Sequence, residues 1–300
     1  MSLHILSLIV FLFIGEVFAI NQCAPSFYEN YEILWGEDYF KSYDQGQEVQ
    51  LSLTDPSSGA EFISKSSYGS GSFSMSMKLP GNDSTGVATI FKIESFTTYT
   101  PENWVELEFL YVREIKAYLV QTNVYAIDTL DRKQIIRLWF DPTASFHDYT
   151  ILWNPHQIVV SVDEVPIRVF RNNSKKGVPY PTKPMKVVAS ICNKKALDQL
   201  KVFRYYGETT IDWSHAPFIA QFRNFTINGC VYNGTQNSCY SSEYWWNKKK
   251  YLNLTLNQVK LYRRVKDIYM IYNYCTDDKF RFPNPPPECQ QLGQLFPPTQ

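Results

Sequence analysis

The stretch Phe73-Ser74-Met75-Ser76-Met77-Lys78-Leu79 alternates apolar and polar side chains without a break. Strict period-two alternation requires an extended strand with one buried face. Segments of related character recur from about residue 30 to 228, at 48–53, 71–79, 87–93, 104–111, 119–125 and 135–140, with turn chemistry between them. Helical periodicity is almost absent before residue 195. Many short strands without intervening helices predict an all-β chain built as two packed antiparallel sheets. With 300 residues, 44% of them hydrophobic and 16% aromatic, one large core can be filled, so one main domain is expected.

The C-terminal part differs in kind. Between 254 and 272 the apolar residues Leu256, Val259, Tyr262, Val265, Ile268, Tyr269 and Tyr272 recur at three- and four-residue steps, while Lys260, Arg263, Arg264 and Lys266 fall largely elsewhere. This spacing predicts one amphipathic helix packed on the sandwich edge. Beyond it, Phe282-Pro283-Asn284-Pro285-Pro286-Pro287 lacks the N–H groups for a ladder and reads as an extended coda. The expected division is 1–19 as leader, 20–228 as the β domain and 229–300 as a C-terminal extension.

At the N-terminus an apolar run from Ile5 to Phe13 is followed by Val17-Phe18-Ala19, which has small residues where a signal peptidase reads. Cleavage after Ala19 is expected. The run is too short to span a bilayer, and no later stretch is long enough, so no membrane span is expected. Five N-x-Ser/Thr sequons, at Asn82, Asn172, Asn224, Asn233 and Asn253, agree with passage through the secretory pathway. The six cysteines all follow the cleavage point. In an oxidising compartment Cys230 with Cys239 and Cys275 with Cys289 is the economical pairing, leaving Cys23 and Cys192 unassigned. Their spacing does not suit a tetrahedral metal site. Lys+Arg and Asp+Glu are equal at 29 each, so no long-range field favours nucleic acid, and a neutral partner and a monomer are expected. No nucleotide loop, zinc motif or serine-hydrolase elbow is present. No metal or other cofactor is implied, and the scattered histidines, His147 and His215 included, read as structural.

One strand carries candidate chemistry. In Glu102-Asn103-Trp104-Val105-Glu106-Leu107-Glu108-Phe109-Leu110, alternate residues share a face, so Glu102, Trp104, Glu106 and Glu108 project together. Retaining glycoside hydrolysis uses two carboxyl groups about 5–5.5 Å apart, one attacking the anomeric carbon and one protonating the leaving oxygen. A charged strand edge that discourages aggregation is the plain alternative.

This segment resembles the H-D-E-I-D-F-E-F-L-G signature of plant xyloglucan endotransglucosylase/hydrolases, within glycoside hydrolase family sixteen. Further family-like stretches are Tyr31-Glu32-Ile33-Leu34-Trp35-Gly36, Met77-Lys78-Leu79-Pro80-Gly81-Asn82, Gln121-Thr122-Asn123-Val124-Tyr125, Leu138-Trp139-Phe140-Asp141-Pro142-Thr143, Phe146-His147-Asp148-Tyr149-Thr150-Ile151-Leu152-Trp153-Asn154, Gly177-Val178-Pro179-Tyr180-Pro181, Asp212-Trp213-Ser214-His215-Ala216-Pro217-Phe218 and Tyr269-Met270-Ile271-Tyr272-Asn273-Tyr274-Cys275-Thr276-Asp277. The resemblance implies a curved antiparallel β-jelly-roll sandwich of concanavalin-like type. It also implies an open cleft for a β-1,4-glucan and a C-terminal extension carrying a helix and two disulfides. Xyloglucan or a related neutral β-glucan is the implied partner, and the cell wall and apoplast the implied location.

Laid on the signature, Glu108 falls at the acid/base, Glu106 at the assisting Asp, and Trp104 where the nucleophilic Glu belongs. Glu102 replaces its His, Asn103 its first Asp and Tyr111 its closing Gly, and the sequon that follows it in the family is missing. Where the family has Ser-Leu-Trp-Asn, this chain reads Ser190-Ile191-Cys192-Asn193. The resemblance places Trp104, Gln121, Asn123, Asn193 and Trp213 against substrate. An indole has no lone pair basic enough to form a glycosyl ester, so the ordinary double displacement is expected to fail at Trp104. Three readings stand open on sequence: a glycan-binding wall protein, an active transglycosylase in which Glu106 or Glu102 substitutes as nucleophile beside Glu108, and a structural wall protein whose groove Trp104 plugs.

Overall fold

The computed structural model describes residues 25–95, 102–128, 130–193, 210–277 and 285–289. The leader, Cys23 and residues 282–284 of the proline-rich coda lie outside them. In chain order the strands are β1 (Tyr31–Trp35), β2 (Phe40–Tyr43), β3 (Glu48–Leu53), β4 (Ala60–Ser64), β5 (Tyr68–Lys78), β6 (Val87–Glu94), β7 (Asn103–Val112), β8 (Ala117–Ala126), β9 (Gln134–Arg137), β10 (His147–Trp153), β11 (Gln157–Val162), β12 (Val165–Arg171), β13 (Lys186–Asn193), β14 (Phe218–Val231) and β15 (Met270–Asn273). They form an eight-stranded sheet in the order β1-β4-β13-β6-β7-β8-β9-β15 and a seven-stranded sheet in the order β12-β11-β10-β5-β14-β3-β2. The chain is thus an all-β sandwich, and every strand pair within both sheets is antiparallel.

The alternation seen in sequence maps onto the core. Phe73, Met75 and Met77 of β5 are buried between the sheets, where they join Val105, Leu107 and Phe109 of β7 and Val187, Ala189 and Ile191 of β13. The polar side of β5 is not bare to solvent, because Ser76 is buried too and hydrogen-bonds Asp148 and the Asn224 amide. Aromatic rings crowd the interior, and several pack edge-on, for example Phe62 against Phe222 with centroids 5.3 Å apart.

Two sequence-based elements come out differently. The strand expected at 135–140 ends at Arg137; Leu138 still donates its N–H to the Tyr118 carbonyl of β8 at 3.1 Å, and Trp139 and Phe140 leave the ladder ahead of Pro142. Trp139 instead packs on Phe140 and on Tyr269, with centroids 5.5 and 5.3 Å apart. The helix expected over 254–272 runs only from Leu256 to Arg264, continues as a π-helical turn to Tyr269, and gives way to β15. Thr255 caps its start, its hydroxyl accepting from the Gln258 N–H at 3.2 Å while Gln258 reaches back to the Thr255 N–H. Only Tyr262 and Val265 of the apolar stripe are fully buried, whereas Leu256 is 82% and Ile268 61% exposed. Tyr262 packs on Val159 and Val169 of β11 and β12. The physical reason for the early stop is the unpaired edge of β9: the residues from Met270 on satisfy its backbone groups as a strand, which a further helical turn would leave unpaired.

Both expected disulfides are present, Cys230–Cys239 and Cys275–Cys289, with Cα–Cα distances of 5.4 and 5.3 Å. Cys192 is half-buried against Ala88, Ile90 and Leu110. No helix among the described residues is long and apolar enough to cross a membrane.

Candidate functional site

β7 is fixed by its own alternation. Val105, Leu107 and Phe109 are anchored in the sandwich, which leaves Trp104, Glu106, Glu108 and Leu110 on the outer face of the eight-stranded sheet. The register with β6 and β8 then sets these side chains in cross-strand rows: Ile90, Glu108 and Gln121; Lys92, Glu106 and Asn123; Glu94, Trp104 and Tyr125. β13 and β4 extend the first row with Ser190 and Glu61.

Within the first row Glu108 is buried, and its Oε2 accepts from the Gln121 Nε2 at 3.0 Å. Gln121 is itself fully buried and its Oε1 has no hydrogen-bond partner. A buried carbonyl left unpaired costs about 1–3 kcal/mol. In the second row Glu106 is half-buried between Lys92 and Asn123. Burial first, and then the charge of Glu108, push the Glu106 carboxyl up to about 7, against the pull of Lys92 and Lys133. Lys92 pairs with Glu94 at 2.8 Å. Burial lowers the affinity of Lys92 for its proton, but Glu94, Glu61 and Glu106 together outweigh it and hold the ammonium above its ordinary value. Burial raises Glu61, with Glu94 adding to it and Lys92 opposing.

In the third row Trp104 lies flat on Tyr125, the ring centroids 3.9 Å apart and the planes within 10°. The pair forms a two-ring layer beside the carboxylates. Glu102, just ahead of β7, is half-buried and sits 3.5 Å from the Lys183 ammonium. Asn103 has the opposite parity, faces inward, and is fully buried with neither amide atom hydrogen-bonded.

The structure places the other residues singled out in sequence as follows. Asn123 stands next to Glu106, but both ends of its amide are engaged: Nδ2 donates to Asp131 at 3.0 Å and Oδ1 accepts from the Arg132 N–H at 3.1 Å. Asn123 therefore holds the connection between β8 and β9. Arg132 continues that support as a buried guanidinium that donates to both oxygens of Asp128, at 2.7 and 2.5 Å, and to Glu288 at 2.7 Å. Asn193 ends β13 on the parity of Val187, Ala189 and Ile191, so it is not in the rows with Ser190. Trp213 is in a short 3-10 turn and packs edge-on against Phe218 of β14, in the other sheet. Trp104, Glu106, Glu108 and Gln121 are thus brought together, with Asn123 as their support.

Sequence reasoning missed Lys92, Glu94, Glu61 and Tyr125. A signal was present for Tyr125, which continues the alternation Gln121, Asn123, Tyr125 on one strand. For Lys92 and Glu94 the signal is two charges at alternate positions of an otherwise apolar strand; that they meet Glu106 and Trp104 depends on register. Among the described residues no group of three or more His, Cys, Asp or Glu is arranged to hold a metal ion.

A two-sheet antiparallel sandwich with a carboxylate pair on one outward strand face defines the class of glycoside hydrolase family 16 proteins, and residues 27–215 match the model of "Glycosyl hydrolases family 16". Residues 240–289 match "Xyloglucan endo-transglycosylase (XET) C-terminus". "Xyloglucan endotransglucosylase/hydrolase protein 2" of Arabidopsis thaliana is 45% identical over 290 residues, 96% of each chain. "Xyloglucan endotransglucosylase protein 34" of Populus tremula x Populus tremuloides is 41% identical over 268 residues, 89% of this chain and 88% of its own. The chain belongs to the xyloglucan endotransglucosylase/hydrolase family. Among solved structures, the apo Crh5 transglycosylase superposes with a TM-score of 0.54 at 21% identity, covering 71% of this chain and 83% of its own. A β-glucanase of Bacillus licheniformis does so with a TM-score of 0.51 at 23% identity, covering 68% and 92%. These two share the fold.

Proposed function

We propose that the protein is a secreted plant cell-wall protein whose cleft holds xyloglucan or a related β-1,4-glucan without turning it over. The observation that carries this reading is Trp104: it stands on the outer face beside Glu106 and Glu108, stacked on Tyr125, at the position where the family signature has its nucleophilic carboxylate. An indole cannot form the glycosyl ester that double displacement requires. Glu106 is a poor substitute, because a carboxyl raised to about 7 keeps its proton in acidic surroundings and a protonated carboxyl does not attack carbon. Glu108, oriented by Gln121, keeps the geometry of an acid with no partner to capture the sugar it would release. The Trp104–Tyr125 layer instead suits retention, offering an aromatic face to a pyranose.

The test pairs binding with turnover on the full secreted chain. Wild type should bind xyloglucan in affinity electrophoresis and leave a labelled xyloglucan oligosaccharide acceptor unreacted, while Trp104→Glu should gain transfer. Wild-type transfer abolished by Glu106→Gln would refute the reading, as would a wild type that neither binds nor transfers. N-terminal sequencing of the secreted protein should begin at Ile20.

A further inference from the structure

A cavity lies at the end of the sandwich, where the turn from β7 to β8, the segment after β9 and the π-helical turn before β15 converge. It has a volume of about 870 Å³, and its walls include Tyr111, Trp139, Phe140 and Tyr269, with Arg137 and Asn82 among the polar groups. Tyr111 belongs to the face of β7 opposite Glu106 and Glu108, so the cavity is separate from the rows described above. The size is that of a pocket burying a small organic ligand, in the range of about 300–1,000 Å³. Aromatic walls with a few polar groups are the surroundings that suit a sugar, whose ring faces are apolar and whose edges are hydroxyls.

Asn82 decides which sugar. It opens the sequon Asn82-Asp83-Ser84, is exposed on a turn with a φ of 59°, and its side-chain amide makes no hydrogen bond among the described residues. The other four sequon asparagines differ in which amide atom is engaged. Asn172 Nδ2 donates to the Pro155 carbonyl and Asn224 Nδ2 to the Ser76 hydroxyl. Asn233 Oδ1 accepts from Thr235 and Asn253 Oδ1 from the Arg171 guanidinium. Asn233 and Asn253 thus leave Nδ2, the atom that takes the sugar, without a hydrogen bond among the described residues, as Asn82 does, but of the five sequon asparagines only Asn82 lines this aromatic cavity. Arg137, exposed and without an ion pair among the described residues, is among the polar residues that line the cavity.

We propose that Asn82 carries an N-glycan whose proximal N-acetylglucosamine units dock in this cavity, against Trp139 and Tyr269. The proposal rests on the chain's passage through the secretory pathway. There the Asn82 Nδ2 attacks the anomeric carbon of a lipid-linked oligosaccharide; the lipid diphosphate leaves, Nδ2 gives up one proton, and one N–H remains on the new bond. The docked sugars cover apolar side chains that the protein itself leaves half-exposed and tie three loops to one another.

The experiment uses full-length protein secreted from plant cells, with site-resolved mass spectrometry after enzymatic glycan release. Asn82 should be occupied. Release from the native protein should be about tenfold slower at Asn82 than at the other occupied sequons, which corresponds to about 1.4 kcal/mol of protection. Denaturation should equalise the rates, and so should Trp139→Ala; Tyr269→Ala provides the same reading if the first variant does not fold. An unmodified Asn82 beside occupied sequons overturns the proposal, as does native release at an unprotected rate. Absence of glycan at every sequon of the secreted protein overturns it too, whereas retention of the protein inside the cell would instead remove the secretory premise.

Discussion

Replacing Glu106 by Gln should stabilise the protein in a pH-dependent way. The unfolded chain releases this proton near 4.5, whereas burial and the neighbouring Glu108 delay release in the folded state to about 7. Below pH 4.5 both states hold the proton and Glu106 costs nothing. Between 4.5 and 7 the native state binds more proton than the unfolded state, so stability falls as pH rises through this window, and above 7 the penalty is complete. At about 1.4 kcal/mol for each tenfold change in proton affinity the full penalty would be about 3.5 kcal/mol. Glu106 is half-buried and water screens part of its charge, so about 1–2 kcal/mol is the expected size. Gln removes the titration and keeps the shape. Wild type and Glu106→Gln should therefore diverge between pH 4.5 and 7, with the variant ahead by about 2–6 °C in melting temperature at pH 8 and any constant packing difference visible alone at pH 4. Calorimetry or urea unfolding across that range reads the difference. Two stability curves that stay parallel from pH 4 to 8 would refute the reasoning, because they would mean that Glu106 ionises in the folded chain as freely as in the unfolded one.

Other outcomes follow from contacts already described. Trp104→Ala removes one ring of the Trp104–Tyr125 layer and should weaken xyloglucan binding about tenfold in calorimetric titration, the size of one aromatic contact, while the loss of its stacking on Tyr125 lowers the melting temperature by a few degrees. Glu288→Gln takes one of two carboxylates from the buried Arg132; because Asp128 still holds the guanidinium, the loss should be about 2 kcal/mol in urea unfolding, below the 3–5 typical of a fully broken buried pair. Cys275→Ser with Cys289→Ser opens a bridge of sequence separation 14 and should cost about 3 kcal/mol, a difference that vanishes when both proteins are unfolded under reducing conditions.

Strand alternation made the sandwich legible. Phe73, Met75 and Met77, or Val105, Leu107 and Phe109, announce a buried face in their spacing alone, and the same parity puts Trp104, Glu106 and Glu108 together on the other side. Helical spacing misled at the C-terminus because steps of three and four residues survive through Tyr272, although the chain turns there to meet β9. Local periodicity does not register a distant unpaired edge. For the same reason Lys92 and Glu94 escaped notice: what makes them part of the site is their register against β7, and pairing between strands far apart in sequence is not written in either one. Asn123 shows the converse. Its position was readable, but its engagement with Asp131 and Arg132 arises from a loop whose path is set by the fold.

The final strand carries a solubility consequence. Met270–Asn273 shields the outermost ladder of the larger sheet, and a protein trimmed ahead of Met270 would present Gln134–Arg137 as a naked template to any neighbour with an extended segment. Proteolytic loss of the residues from Met270 on would then be felt first as self-association through the exposed edge, before any loosening of the core.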